Sequence, residues 1–154
     1  MTGWRLGYVC APKEIIDVIF KIHQYSIMCA STAAQYVALE ALNASFEDNF
    51  KEVHLMRDEY DKRRKYVCER LSAMQLKCFK PRGAFYVFPS VKSTNMDGEE
   101  FAYSLLDSKN VAVVPGGAFG ESGKDYIRIS YAYSLDVIKR ALDLIEEFVN
   151  ERRL

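Results

Sequence analysis

The chain has 154 residues, 49% of them hydrophobic and 13% aromatic, which is material for one domain and an appended piece of another. Lys and Arg number 21, as do Asp and Glu, so no net field draws the chain to nucleic acid or to an anionic membrane. The composition also excludes a disordered chain, and no stretch reaches membrane-spanning length.

Gly3 to Cys10 reads as an apolar and aromatic strand. Pro12 suits the first turn of a helix, where its missing N–H is no loss, and Ile15, Ile19 and Ile22 follow at helical spacing. Ser31 can cap a second helix with Ala34, Val37, Ala38, Ala41 and Leu42 inside. Ser45-Phe46-Glu47-Asp48 resembles a capping box, and from there one long helix is expected to about Ala73. Phe46, Val53, Tyr60, Val67 and Met74 recur every seven residues on one stripe. The run Asp61-Lys62-Arg63-Arg64-Lys65 reads as a solvated helix face.

The pattern then changes. Gly83 to Pro89 reads as a strand, Glu99 to Lys109 as a short helix, and Val111 to Val114 as an apolar strand ended by Pro115-Gly116-Gly117. Tyr126 to Tyr131 is another strand. Ser134 opens a final helix with Ile138, Ala141, Leu142, Ile145, Phe148 and Val149 on one face. Strands alternating with helices give an α/β or α+β layer structure.

Arg128 is the first candidate for chemistry. Alternation puts Ile127 and Ile129 on one strand face and Arg128 with Tyr126 and Ser130 on the other. Its guanidinium could grip a carboxylate with two parallel hydrogen bonds, although on pattern alone an exposed strand arginine is the weightier reading. Arg5, between Gly3 and Gly7, could bind a phosphate on the same grounds, or be a surface arginine beside a buried Trp4. The loop Pro115-Gly116-Gly117-Ala118-Phe119-Gly120 lacks the spacing of a P-loop or a dinucleotide fingerprint. Nothing near Lys80 or Lys124 suggests a lowered pKa. Cys10, Cys29, Cys68 and Cys78 have no adjacent His and no C-x-x-C spacing, and the two His residues lack partners at metal-ligand spacing. No metal site is expected. A reducing, cytoplasmic setting fits, and the N-terminus shows no leader pattern.

Four segments together are recognisable. Thr2-Gly3-Trp4-Arg5-Leu6-Gly7-Tyr8 resembles the stretch after the Schiff-base lysine of class I/II aminotransferases, the pyridoxal-phosphate (PLP) enzymes of fold type I. Pro81-Arg82-Gly83-Ala84-Phe85-Tyr86-Val87-Phe88-Pro89 resembles the strand of their small domain. Val113-Val114-Pro115-Gly116 with Phe119-Gly120, and then Tyr126-Ile127-Arg128-Ile129-Ser130, resemble their closing motifs. The resemblance implies that Arg5 binds the PLP phosphate and Arg128 the substrate α-carboxylate. It implies a remnant of the large cofactor-binding domain in residues 1–45, and a long connecting helix with the C-terminal small domain in 46–154.

The same resemblance places the imine-forming lysine, the aspartate at the pyridine nitrogen and the ring-stacking aromatic upstream of Met1. A chain cut there is expected not to transaminate by itself, and its unpaired edges to self-associate or its N-terminal segment to rearrange. The activity implied for the parent is amino-group transfer between an amino acid and a 2-oxo acid, in a homodimer. A C–S lyase or synthase of the same fold type, or a non-catalytic dimerising fragment, are the rival readings.

Overall fold

The structure, a computed structural model, describes residues 1–152. It divides into two compact units, Met1–Leu55 and the residues from Met56 onward.

The first unit is helical. A 3-10 turn at Thr2–Trp4 leads to α1 (Lys13–Ser26) and α2 (Thr32–Glu47), and α3 (Lys51–Ala73) begins before the boundary between the units. The strand expected from Gly3 to Cys10 does not form. A strand needs a neighbour to take its N–H and C=O groups, and among the described residues this unit contains no other strand. Arg5 instead closes the 3-10 turn in the left-handed conformation, with φ 52°. Pro12 and Ser31 sit at the N-caps of α1 and α2, but the Ser31 side chain makes no capping hydrogen bond.

The capping box at Ser45 is a second correction. Ser45 lies inside α2, which continues to Glu47. The break falls at Asn49 and Phe50, both left-handed, with φ 57° and 58°. The Phe50 N–H donates to the Ser45 carbonyl at 2.7 Å, and Asp48 Oδ1 accepts from the Lys51 N–H at 3.3 Å to start α3. Helix signals at Ser45 were outweighed by the chance to satisfy the last carbonyls of α2 with a left-handed turn.

The second unit holds the core. The end of α3 at Ala73 is as expected, and Gln75 turns the chain with φ 56°. Three short strands follow: β1 (Tyr86–Val87), β2 (Val114–Pro115) and β3 (Ile127–Ser130). They form an antiparallel sheet in the order β1-β3-β2. β1 and β3 are shorter than expected, and β2 keeps only Val114 of the expected Val111–Val114 and continues into Pro115, because pairing covers only the residues opposite β3. Helix α4 (Gly98–Lys109) starts at Asp97, whose carboxylate accepts from the Glu99 and Glu100 N–H groups. Helix α5 (Leu135–Glu151) starts at Ser134, whose hydroxyl accepts from Val137 N–H.

Ile138, Leu142, Ile145, Phe148 and Val149 of α5 are buried against Val67 and Leu71 of α3, Phe101 and Leu105 of α4, and Ile127 of β3. The rings of Phe101 and Phe148 meet edge to face at 5.1 Å. Of the heptad stripe, Val67 and Met74 are buried and Tyr60 is half-buried, all in this unit, whereas Phe46 and Val53 are exposed. The basic run on α3 is ion-paired as well as solvated: Arg64 and Lys65 both bind Asp61, and Arg63 binds Glu59 and donates to the Tyr133 carbonyl at 2.7 Å.

Candidate functional site

β3 delivers Arg128. Ile127 enters the core, and Val87 pairs with Ile129 on that same side. Arg128 and Ser130 therefore share the other face, as strand alternation requires. Ser130 pairs with Tyr86, which makes Tyr86 the diagonal neighbour of Arg128. The guanidinium carbon lies 4.5 Å from the centre of the Tyr86 ring and 4.7 Å from that of Phe119. Both distances are within cation–π range.

Phe119 comes from the glycine loop, which forms a 3-10 turn over Gly116–Phe119. Two glycines hold this turn against the rest of the unit. A Cβ on Gly116 would lie 2.3 Å from the Gly123 carbonyl oxygen, and one on Gly123 would lie 2.2 Å from the Gly116 oxygen. Only glycine lets these two backbones touch. The Gly116 N–H then donates to the Tyr126 carbonyl at 2.8 Å, tying the loop to the start of β3. Phe88 packs edge-on against Phe119 at 5.9 Å and flat on Tyr126 at 5.4 Å. Sequence reasoning missed both Tyr86 and Phe119. Their aromatic character was visible, but the pairing that brings them to Arg128 was not.

The charge balance sets Arg128 apart. On α3, Arg57, Arg63, Arg64 and Arg70 each face a carboxylate. Arg128 is half-buried and has no ion pair among the described residues. A partly desolvated cation without a counter-charge is a natural place for an anionic ligand. Tyr86, Arg128, Ser130 and Tyr133, with Val111 and Val113, border a cleft of about 540 Å³.

Arg5 belongs to the first unit and is described there. It is exposed, and one guanidinium nitrogen donates to the Thr2 carbonyl at 3.3 Å. Trp4 beside it is 49% exposed, not buried as the sequence suggested. A Cβ on Gly3 or Gly7 would meet nothing within 4 Å, so the space beside Arg5 is open.

Other groups are quiet. Burial pushes the Cys68 and Cys78 thiols up, away from the reactive thiolate. Among the described residues, no group of His, Cys, Asp and Glu could hold a metal ion, and no helix is long and apolar enough to cross a membrane.

The sequence matches the family Aminotransferase class I and II over residues 1–145. The chain belongs to this family. It is 46% identical over 154 residues to an aspartate aminotransferase of Pyrococcus abyssi, covering 100% of this chain and 39% of that one. It is 45% identical over 151 residues to a (5-formylfuran-3-yl)methyl phosphate transaminase of Methanocaldococcus jannaschii, covering 98% and 39%. The crystal structure of an aromatic aminotransferase from Pyrococcus horikoshii matches with a TM-score of 0.84 at 44% identity, over 99% of this chain and 40% of that one.

This aminotransferase-family chain thus has the fold of the corresponding part of fold type I aminotransferases and spans about 39% of the length of the relatives it matches. The family implies PLP in the full-length relatives. The three relatives are named for different substrates at nearly equal identity, so likeness at this level does not select a substrate side chain.

Proposed function

We propose that this chain is the C-terminal part of an enzyme that moves an amino group between an amino acid and a 2-oxo acid with PLP. Arg128 binds the substrate carboxylate, and Arg5 binds the PLP phosphate. Residues 1–45 belong to the cofactor-binding domain, and residues 46–154 contain the connecting helix, α3, and the small domain. The observation that carries this reading is the half-buried Arg128 guanidinium, within 5 Å of two ring centres and with no acid partner among the described residues.

PLP, when bound, supplies an electron sink for the bond broken at the substrate Cα. Arg128 contributes alignment: two parallel hydrogen bonds fix the carboxylate plane and with it the direction of the Cα bonds. Tyr86 and Phe119 keep water from the guanidinium, which strengthens its hold on an anion. Arg5 contributes a fixed positive charge with N–H groups for phosphate oxygens.

No residue of 1–154 corresponds to the expected imine-forming lysine, so the chain by itself is inactive. The apolar surface of the first unit, including the exposed Tyr8, Phe20, Tyr25 and Phe46, supports self-association or a homodimer. Four free cysteines agree with a reducing, cytoplasmic location.

The test is Arg128→Gln in the active enzyme that contains this chain. Losing charge-assisted hydrogen bonds of roughly 1.5–3 kcal/mol should lower kcat/KM for every amino acid by about 10–100-fold. PLP retention, read from its visible absorption, should not change. Unchanged turnover of all amino acids would refute the role of Arg128, and transamination by the purified chain alone would refute its inactivity.

A further inference from the structure

The two rings at Arg128 restrict the shape of the anion it can take. Each ring centre is less than 5 Å from the guanidinium carbon, and a guanidinium is smaller than either ring. Two rings that close take up much of the space around the guanidinium, so an anion has to reach its N–H groups alongside an aromatic ring. Tyr86 is fixed by its pairing with Ser130 in the sheet, and Phe119 by the Gly116–Gly123 backbone contact and by Phe88. An incoming anion therefore meets a guanidinium flanked by rings on anchored backbone.

A carboxylate is planar and meets a guanidinium with both oxygens in the guanidinium plane. A phosphonate or sulfonate is tetrahedral and must carry at least one oxygen out of the plane. The faces of aromatic rings are electron-rich, and they repel a negative oxygen placed over them.

We infer that Tyr86 and Phe119 are specificity-determining residues that make Arg128 select planar carboxylates over tetrahedral phosphonates and sulfonates. This rests on the reading of Arg128 as an anion-binding residue, and it adds which anions are refused and by what.

The test uses the purified chain labelled for NMR, with the Arg128 Nε–H signal followed during titration with acetate or with methylphosphonate. Acetate should saturate the signal at the lower concentration. Phe119→Leu and Tyr86→Leu should each shrink that preference by about 2–5-fold, the range expected for one exposed cation–π contact. Tyr86→Phe, which keeps the ring, should restore it. Phe119 is 53% exposed, so its replacement leaves the core intact, and the amide signals of Leu142 and Phe148 verify this.

Three results would overturn the inference, and they are distinguishable. No response of Arg128 to either anion, or the same acetate response elsewhere in Arg128→Gln, removes anion binding by Arg128 itself. Arg128-dependent binding whose preference survives both leucine variants removes the role of the rings and leaves the binding role standing.

Discussion

Helices α1 and α5 make an instructive pair. They are similar in length, 14 and 17 residues, and each shows isoleucines at helical spacing along one face. Yet α1 has no buried residue, and α5 has five. Ile22 of α1 is 64% exposed, whereas Phe148 of α5 is fully enclosed. Periodicity makes an apolar stripe, but only a facing surface turns it into a core. In the second unit that surface is the sheet with α3 and α4. In the first unit, an open hollow of about 790 Å³ is bordered by Leu6, Phe20, Met28, Leu39, Leu42 and Phe50.

The contrast breaks most sharply under truncation. Phe148→Ala should cost about 3–5 kcal/mol in urea unfolding of the second unit. Ile22→Ala should stay within about 0.5 kcal/mol, as for a surface change. Comparable losses from the two would mean that α1 is packed in solution as firmly as α5. A smaller effect is expected at Gly98, where a Cβ would sit 2.1 Å from the Tyr126 oxygen and 2.9 Å from that of Lys124. Gly98→Ala should cost about 1–3 kcal/mol through overpacking, seen as a lower urea midpoint. A midpoint equal to that of the parent would show that the backbone there yields easily.

The smallest effect concerns the charged face of α3. Hydrogen bonds from Lys65 and Arg64 lower the Asp61 carboxyl from 3.8 to about 2. A depressed carboxyl stabilises the fold above its unfolded pKa, and that contribution fades as pH falls from about 4 through 2. Asp61→Asn should flatten acid unfolding in that window and leave it unchanged near neutrality in slope. An identical acid slope for the two proteins would show that solvent cancels the pairing, as it can for exposed ion pairs.

What the sequence revealed follows the range of the interactions involved. Helix α5 and its Ser134 cap were legible because spacing and capping act within one turn. Alternation around Ile127 and Arg128 was legible for the same reason. The break at Asn49 and Phe50 was not: Asn49 suits a left-handed turn, but Phe50 does not, and the apolar stripe continued across both. The supposed strand from Gly3 failed because composition cannot report whether a pairing partner exists. At the candidate site, Arg128 was visible as a residue, but its ring neighbours depend on sheet register and on glycine contacts that join residues 116 and 123 to the β3 strand. Gly98 was passed over entirely, since its need for a missing side chain arises from Lys124 and Tyr126, far along the chain.

Trp4 is the only tryptophan in the chain, and it lies in the half-exposed turn of the first unit. Its fluorescence is consequently a local reporter for residues 1–55. The enclosed Tyr131, whose hydroxyl donates to the Ala84 carbonyl at 3.1 Å, supplies a near-ultraviolet dichroism signal from the other unit. Emission on heating thus follows the first unit alone, whereas dichroism sums over the aromatic residues of both, Tyr131 among them.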